Sequence, residues 1–519
     1  MKGRLRSAAR NARVIGTAAA LLLSIRGSGA QSTAASQPYC ASFLEKGKDL
    51  LGQRQFRQAE ELLVSTTSAC PNVAELFDTL GLAYDFDGYP VEAQAAYRKA
   101  ISISPRTAGL HNNLAVSLLR SGNQEAGINE FRKALEIDPA NKTANLNLGS
   151  LYVANKQYES GLRCLQAAKV ERSKDPVTLL ELTGAYFGVG NAPAGRDTAE
   201  RLAKIPGLQP AVHFSLGLQL AAYDEYELAV QQFAAIPASD RDVATDLNLG
   251  LAYSKLRRFQ EAREAYDGAL RLDPSNPDAF LHIGLDDDAA GHDGAALDWI
   301  LQAHTNAPDR PDISYALAQT LIRLGNFERA HDLLASALAD HPDEPGLREA
   351  QGDLLLQEGR PEDAVEAYLQ SLRSDRRRVS ARVSLASAYE RLRQSDKAAS
   401  ELQQVLRVDP QNAAAKAQLG HLALDAGQQD IASEWIKQAL ATDPNNLTAN
   451  EDMAVLLERA GKPDQAHAIL ERLAKLDPSN PQIHYLLSRV LAELRKPEEA
   501  KAEFELSKKL QTPQGRHSE

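Results

Sequence analysis

The 519-residue sequence has few of the residues that metal, redox and membrane proteins depend on. It contains three cysteines, two tryptophans and two methionines. A membrane-spanning helix needs about 20 consecutive, mostly apolar residues. The apolar run near the N-terminus, residues 14–25 (VIGTAAALLLSI), has only 12, and no later segment is apolar enough. We therefore expect a mature chain without a transmembrane segment.

Motifs that carry chemistry are also missing from the sequence. There is no phosphate-binding loop, dinucleotide-binding glycine pattern, serine elbow, HEXXH or zinc-type Cys/His spacing. We interpret His282, His292 and His304, which lie close together in the chain, as solvated polar residues, and the alternative is a metal site. We predict no catalytic residues, no metal and no cofactor. The net charge of −11 argues against a nucleic-acid partner.

The N-terminal segment is basic and contains no acidic residue before Glu45. Positive charges precede one apolar run, and small residues Ser28 and Ala30 then come before Gln31. This order is typical of an export signal peptide. We predict a signal peptide at residues 1–30, a short linker at 31–39, and a periplasmic or extracellular location. An organelle transit peptide is the alternative, because the segment is also rich in arginine.

Small residues recur every 34 positions along most of the chain. They stand at Gly47, Gly81, Ala115, Gly149, Gly250, Gly284, Ala318, Gly352, Ala386, Gly420, Ala454 and Ser488, and Gly184 and Gly217 bridge the two blocks with small slips. A second small residue generally follows 12 positions later, and a large apolar residue stands four positions beyond it. The slip is greatest at 177–236, where Arg196 occupies the second small position.

The spacing within each unit predicts two short helices joined by a tight turn. Apolar residues follow a helical period on either side of a break such as LGNFE at 324–328. Helices joined so closely pack antiparallel, and small residues at the crossing let their backbones approach. One such hairpin cannot bury its apolar faces alone, so neighbouring hairpins must stack.

This pattern resembles the tetratricopeptide repeat. The unit at 246–276, DLNLGLAYSKLRRFQEAREAYDGALRLDPSN, carries nearly the full family pattern. The resemblance implies an all-α fold, a right-handed α-solenoid superhelix of about 14 helix-turn-helix repeats. We place the array at residues 40–513, with a C-terminal tail at 514–519. In this family the first helices line a concave groove that usually binds a peptide or a protein surface.

Two of the cysteines frame the first repeat. Cys40 opens this repeat and Cys70 closes it. Antiparallel helices bring these two ends together, so we predict a disulfide in an oxidising compartment. Two unpaired thiols in a reducing compartment are the alternative.

Groove residues follow from the family resemblance. The mapped positions are apolar in the middle of the array, which would suit the apolar side chains or helix face of a partner. They are Phe214, Leu218, Leu247, Leu251, Leu281, Leu285 and Tyr315. The alternative is that these side chains pack adjacent first helices together. Asn113, Asn147 and Asn248 stand where some family members hold peptide backbone.

Two charged runs depart from the repeat pattern. In the run 286–288, Asp287 replaces a usual tyrosine and Asp288 falls on the predicted groove face beside Leu285. We interpret the run as a locally loosened repeat whose carboxylates reach water, and alternatively as an acidic patch that recognises a basic and apolar segment. The arginines at 376–378 replace a usual inter-repeat link, and we expect them to form a solvated turn.

These features predict a protein-interaction scaffold or adaptor rather than an enzyme. Its groove would present a binding surface to peptide or protein partners in the cell envelope. The main alternative is a periplasmic scaffold subunit of a polysaccharide export or secretion machine. An enzyme with its active site in the groove is the less favoured reading.

Overall fold

The computed structural model describes residues 38–511, and the predicted signal peptide and the C-terminal tail lie outside this range. Within it, the regular elements are 28 α-helices and two short 3-10 helices, Val170–Arg172 and Ala238–Asp240. The chain divides between Leu272 and Asp273 into two compact units, called unit 1 and unit 2 below. The fold is therefore the all-α solenoid expected from the repeat.

Unit 1 is built from seven consecutive helix pairs, in which odd-numbered helices are the first of each pair. They are α1 (Pro38–Gly52), α2 (Phe56–Thr67), α3 (Ala74–Asp87), α4 (Pro90–Ile103), α5 (Ala108–Arg120), α6 (Gln124–Ile137), α7 (Lys142–Ala154), α8 (Tyr158–Ala167), α9 (Pro176–Gly188), α10 (Ala192–Ala203), α11 (Pro210–Ala222), α12 (Tyr226–Ala234), α13 (Val243–Lys255) and α14 (Phe259–Leu272).

Unit 2 contains another seven pairs of nearly uniform length. They are α15 (Pro277–Ala289), α16 (Asp293–Asn306), α17 (Pro311–Arg323), α18 (Phe327–Asp340), α19 (Pro345–Gln357), α20 (Pro361–Ser374), α21 (Val379–Arg391), α22 (Ser395–Val408), α23 (Ala413–Asp425), α24 (Gln429–Thr442), α25 (Leu447–Arg459), α26 (Pro463–Leu476), α27 (Pro481–Glu493) and α28 (Pro497–Gln511). In the part of the chain described here, no helix is both long and apolar enough to span a membrane.

Where the small residue of a first helix is glycine, it generally marks the place where the partner helix crosses, although Gly184 instead faces Gln219 of the next first helix. A methyl group added to Gly352 would lie 2.5 Å from the ring of Tyr368, which is fully buried. Gly81 and Tyr97 have the same relationship in unit 1. Real side chains do not approach so closely, so the aromatic ring occupies the space that the glycine leaves. The predicted pairing of a small residue with a large one sixteen positions later is confirmed at these crossings.

The repeat with the spacing slip reaches the same packing by a different residue. Gly195 on α10, one position before Arg196, is buried, and a methyl group there would lie 2.8 Å from the ring of Phe187. Arg196 points outward, and its Nε lies 2.9 Å from the carboxylate of Glu225. The interpretation that Arg196 stands in the second small position was therefore wrong, because the helix shifts by one residue.

Every turn between the two helices of a pair contains one residue in the left-handed backbone region. In eight of the 14 pairs this residue is glycine, for example Gly427 with φ of 73°. In the others it is a residue with a side chain, such as Arg393 with φ of 57°. A side chain in this region costs about 1 kcal/mol relative to glycine. These turns therefore store a small strain wherever glycine is absent.

Replacing Arg393 by glycine is expected to stabilise its helix pair by roughly 0.5–1 kcal/mol, since glycine removes the strain but adds freedom to the unfolded chain. The matched reverse change is Gly427→Arg, at the same place in the next repeat, which should destabilise by about 1 kcal/mol. Hydrogen exchange of α21–α24 at fixed pH would measure both effects. Equal protection in the two variants would contradict the prediction.

The first helix pair is closed by a covalent bond. The sulfurs of Cys40 and Cys70 form a disulfide, and the Cα atoms of the two residues lie 6.0 Å apart. Both cysteines are buried beside Leu63, Leu76 and Leu80, which belong to α2 and α3. The bond therefore ties the start of α1 to the segment that precedes α3.

Candidate functional site

In unit 1, the apolar residues that the family resemblance assigns to the groove differ in burial. Leu218 belongs to the hydrophobic core, and Phe214 packs against that core with its ring 5.9 Å from the ring of Phe233. Leu247 and Leu251 are half-buried and stand four positions apart on α13. Leu218 thus fits the packing alternative, whereas the two leucines of α13 keep accessible apolar surface.

The three asparagines that the family resemblance assigns to the groove all lie in unit 1, and their side-chain amides donate hydrogen bonds within the chain. Asn113 Nδ2 donates to Asp78 Oδ1 at 2.9 Å, and Asn147 Nδ2 donates to Asn112 Oδ1 at 3.0 Å. Both bonds link consecutive first helices. Asn248 Nδ2 donates to the carbonyl of Ala244 within its own helix at 2.7 Å. Each of these amides therefore already donates one hydrogen bond within the chain.

Two carboxyl groups of unit 1 lie on first helices, Asp78 on α3 and Glu181 on α9. Burial raises the pKa of Asp78 to about 6, although the hydrogen bond from Asn113 opposes this rise. Burial likewise raises the pKa of Glu181 to about 7, and the hydroxyl of Ser150 donates to its carboxylate at 2.7 Å. Polar side chains thus link consecutive first helices from α3 to α9.

In unit 2, the aspartate run does not interrupt its helix. Helix α15 continues regularly to Ala289, so the expected loosening of this repeat is not seen. Asp287 Oδ1 lies 3.3 Å from His292 Nδ1, and Asp288 forms an ion pair with Arg323 of the next first helix. The charge of Asp288 is therefore compensated within the chain. Among the neighbouring apolar residues, Leu281 is buried and Leu285 is half-buried.

Tyr315 is covered by an arginine from two repeats further along the chain. The guanidinium of Arg378 lies 5.2 Å from the ring centroid of Tyr315 and forms an ion pair with Glu349, which is 2% exposed. Burial raises the pKa of Tyr315 to about 12. The expectation of a solvated arginine turn was wrong for Arg378, whereas Arg376 and Arg377 are exposed.

A cluster of ionisable side chains joins three first helices near the end of unit 2. His421 on α23 lies 2.9 Å from Asp452 on α25 through Nδ1, and 3.5 Å from Glu390 on α21 through Nε2. Asp425 is 3.9 Å from Nε2. The hydrogen bond to Asp452 raises the pKa of His421 to about 9, against the opposing effect of burial. The ring therefore carries a proton at neutral pH.

The histidines considered for a metal site have other surroundings. His292 is exposed beside Asp287, and burial lowers the pKa of His304. Across residues 38–511, no three His, Cys, Asp or Glu side chains are arranged to hold a metal ion. The structure therefore supplies no ligand set for His282, His292 and His304 to complete.

Contacts between repeats were the part of the site that sequence reasoning missed. In unit 2 the same groove-face positions of other repeats hold polar residues, Glu349, Asp353, His421, Glu451 and Arg489, but the repeat spacing does not identify their partners. Asp452 stands one position after Glu451, and Arg378 stands just before its helix, so neither follows from the repeat spacing. A search of the sequence for acidic residues followed by a basic residue about 30 positions later would have pointed to Glu349 and Arg378.

Three family models match the chain, and all three are described as "Tetratricopeptide repeat". One matches residues 79–142, 112–176 and 315–378, the second matches 355–417, 423–489 and 457–514, and the third matches 247–276. Matches therefore occur in both units.

Two curated proteins resemble shorter stretches. The probable UDP-N-acetylglucosamine–peptide N-acetylglucosaminyltransferase SPINDLY of Hordeum vulgare is 30% identical over 138 residues, covering 25% of this chain and 15% of that protein. The CTR9 homologue of Arabidopsis thaliana is 35% identical over 85 residues, covering 16% of this chain and 7% of that protein. The chain thus matches only a small part of either relative.

Solved structures with low similarity extend over most of the chain. The APC/C hetero-tetramer Cut9–Hcn1 has a TM-score of 0.39 at 15% identity, covering 82% of this chain and 96% of that one. The human IFIT1 dimer with PPP-AAAA has a TM-score of 0.40 at 15% identity, covering 78% and 91%. On the strength of the family models and the helix pairs, the chain belongs to the tetratricopeptide repeat family, whose repeats serve as protein-interaction scaffolds.

Proposed function

We propose that this protein is a non-catalytic adaptor that binds a peptide or protein partner through the first helices of unit 1. The proposal rests on the partial exposure of Leu247 and Leu251. On the same helix Leu249 and Ala252 are buried, so the core does not require the two half-buried leucines. Apolar side chains one helical turn apart and partly accessible suit the apolar face of a bound segment.

The test is a photo-crosslinking residue at Leu251, introduced into the chain in its native cells. We expect it to capture one dominant polypeptide. The matched control is the same crosslinker at Gln260, which is exposed on the second helix of the same pair. A second substitution, Leu247→Gln, added to the chain with the crosslinker at position 251, should reduce capture several-fold. The thermal unfolding midpoint should stay close to that of the parent chain.

Each outcome bears on the proposal. Capture of one polypeptide from position 251 but not from 260, with loss in the Leu247→Gln chain, supports an adaptor and locates its binding surface. Capture of glycan alone would favour the narrower role in a polysaccharide export or secretion machine. Equal capture from both positions, or from neither, would reject the first helices of unit 1 as the binding surface.

We also propose that the protein works in the cell envelope or outside the cell. Two observations support this location: the basic and then apolar N-terminal segment, and the Cys40–Cys70 disulfide. Structural disulfides persist in oxidising compartments and are rare in reducing ones. Cell fractionation with intact-mass measurement, with and without reductant, tests the proposal. A full-length, fully reduced chain in the cytosol would reject it.

A further inference from the structure

The side chain of His421 contacts residues on both neighbouring first helices, so its interactions span three repeats. Its Nδ1 lies 2.9 and 3.1 Å from the two carboxylate oxygens of Asp452, and its Nε2 lies 3.5 Å from Glu390 Oε1. The three residues stand on α23, α25 and α21. A neutral imidazole has one N–H, whereas the protonated ring has two. Only the protonated ring can direct an N–H toward both neighbouring helices.

The other charges that face this ring are mostly negative. Asp425 lies on the same helix, 3.9 Å from Nε2. Glu451, next to Asp452, is partly buried, and burial together with the Asp452 charge raises its pKa to about 7. On α21, Arg391 favours the charged form of its neighbour Glu390, but its guanidinium donates to the carbonyl of Leu356 at 2.8 Å. The imidazolium is thus the cation that contacts carboxylates of both neighbours.

We propose that His421 is a proton-dependent clasp that holds first helices α21, α23 and α25 together, and that loss of its proton lets them spread. Without the cation, carboxylates on three neighbouring helices repel one another across a partly buried surface, where screening is weak. Each repeat in a stack of this kind contacts only its neighbours, so three repeats can adjust without unfolding the others.

The direction of the pH response follows from the ring's pKa. The folded-state pKa of about 9 lies above the ordinary value of 6.5. The clasp therefore contributes fully below about pH 6.5 and is lost as pH rises through about 9. Acidification through about pH 7 protonates Glu451 and removes negative charge, so it does not oppose the clasp. The helices should therefore spread as the pH rises from neutral through about 9.

The experiment measures the distance between two spin labels on either side of the clasp in the full-length chain. Ser395 at the start of α22 and Gln465 in the first turn of α26 are exposed, uncharged positions two repeats apart. Cys164→Ser removes the free cysteine, and the Cys40–Cys70 disulfide remains. Raising the pH from about 7 to 10 should shift the distance distribution to longer values, with a midpoint near 9.

Variants separate the clasp from general alkaline loosening. His421→Gln should give the long distances already at about pH 7, with only a small further lengthening as Glu451 loses its proton and no transition near pH 9. His467→Gln on α26 is the matched control and should behave like the parent chain. Asp452→Asn should move the midpoint to lower pH, which also serves if His421→Gln fails to fold. An unchanged distribution in the parent chain, or an unchanged midpoint in Asp452→Asn, would overturn the proposal.

Discussion

Replacing Arg378 by glutamine is expected to lower the free energy of unfolding of unit 2 by about 3–5 kcal/mol. The reason is the environment of Glu349, which is 2% exposed and forms an ion pair with this guanidinium. Removing one partner of a buried pair leaves a charge without compensation, which costs far more than the pair contributes. The ring of Tyr315 would also lose the cation that covers it. Denaturant unfolding near neutral pH, followed by circular dichroism, measures the loss.

The same arginine run supplies the control. Arg377 is exposed, so Arg377→Gln should change the unfolding free energy by less than about 0.5 kcal/mol. Acid should partly rescue Arg378→Gln, because burial already raises the pKa of Glu349 above its ordinary 4.5. A carboxyl group with a raised pKa favours the folded state most at low pH, and that contribution is lost as pH rises. Equal stability of the two variants would show that Glu349 does not depend on Arg378.

Loss of the Cys40–Cys70 bond should destabilise the first helix pair by about 3–4 kcal/mol. The bond closes a loop of residues separated by 30 positions, and opening it restores freedom to the unfolded segment. We expect the double change Cys40→Ser and Cys70→Ser to raise hydrogen exchange in α1 and α2 strongly. Helices of unit 2 should be unaffected, because each repeat depends mainly on its neighbours.

Cys164 gives a matched control for this prediction. It is half-buried and takes part in no disulfide, so Cys164→Ser should leave exchange in α1 and α2 unchanged. Reductant added to the parent chain should reproduce the double variant. If α1 and α2 keep their protection after reduction, the core around Leu63 and Leu80 alone would hold the first pair, and the predicted role of the bond would be wrong.

Repeat spacing predicts the helix pairs well because the two helices of a pair generally pack in the same way, with a small residue against a large one. Gly352 and Tyr368, or Gly81 and Tyr97, must meet wherever two short helices cross closely, so their positions recur with the repeat. Arg196 shows the limit of this reasoning. Spacing assigned it to the crossing, but the helix moved by one residue and placed Gly195 there instead.

The candidate site follows the repeat pattern less closely, since its contacts depend on side-chain reach. Leu218 and Leu251 occupy equivalent positions in adjacent repeats, yet Leu218 is in the core and Leu251 is half-buried. Leu218 lies in a cluster of buried residues with Phe233 and Leu249, a difference that the repeat spacing does not specify. Arg378 reaches Glu349 from a link between helices, where no periodic pattern applies.

The disulfide of the first pair also has a mechanical consequence. If the chain is pulled from a point before Cys40, tension passes directly through the sulfurs to Cys70 and bypasses the residues between them. Without the bond, the segment between the two cysteines, which are 30 positions apart, would add roughly 100 Å to the length of the chain when fully extended. The oxidised chain should therefore transmit load to α3 without this slack, and a reducing agent should add one discrete step of that length to its extension under force.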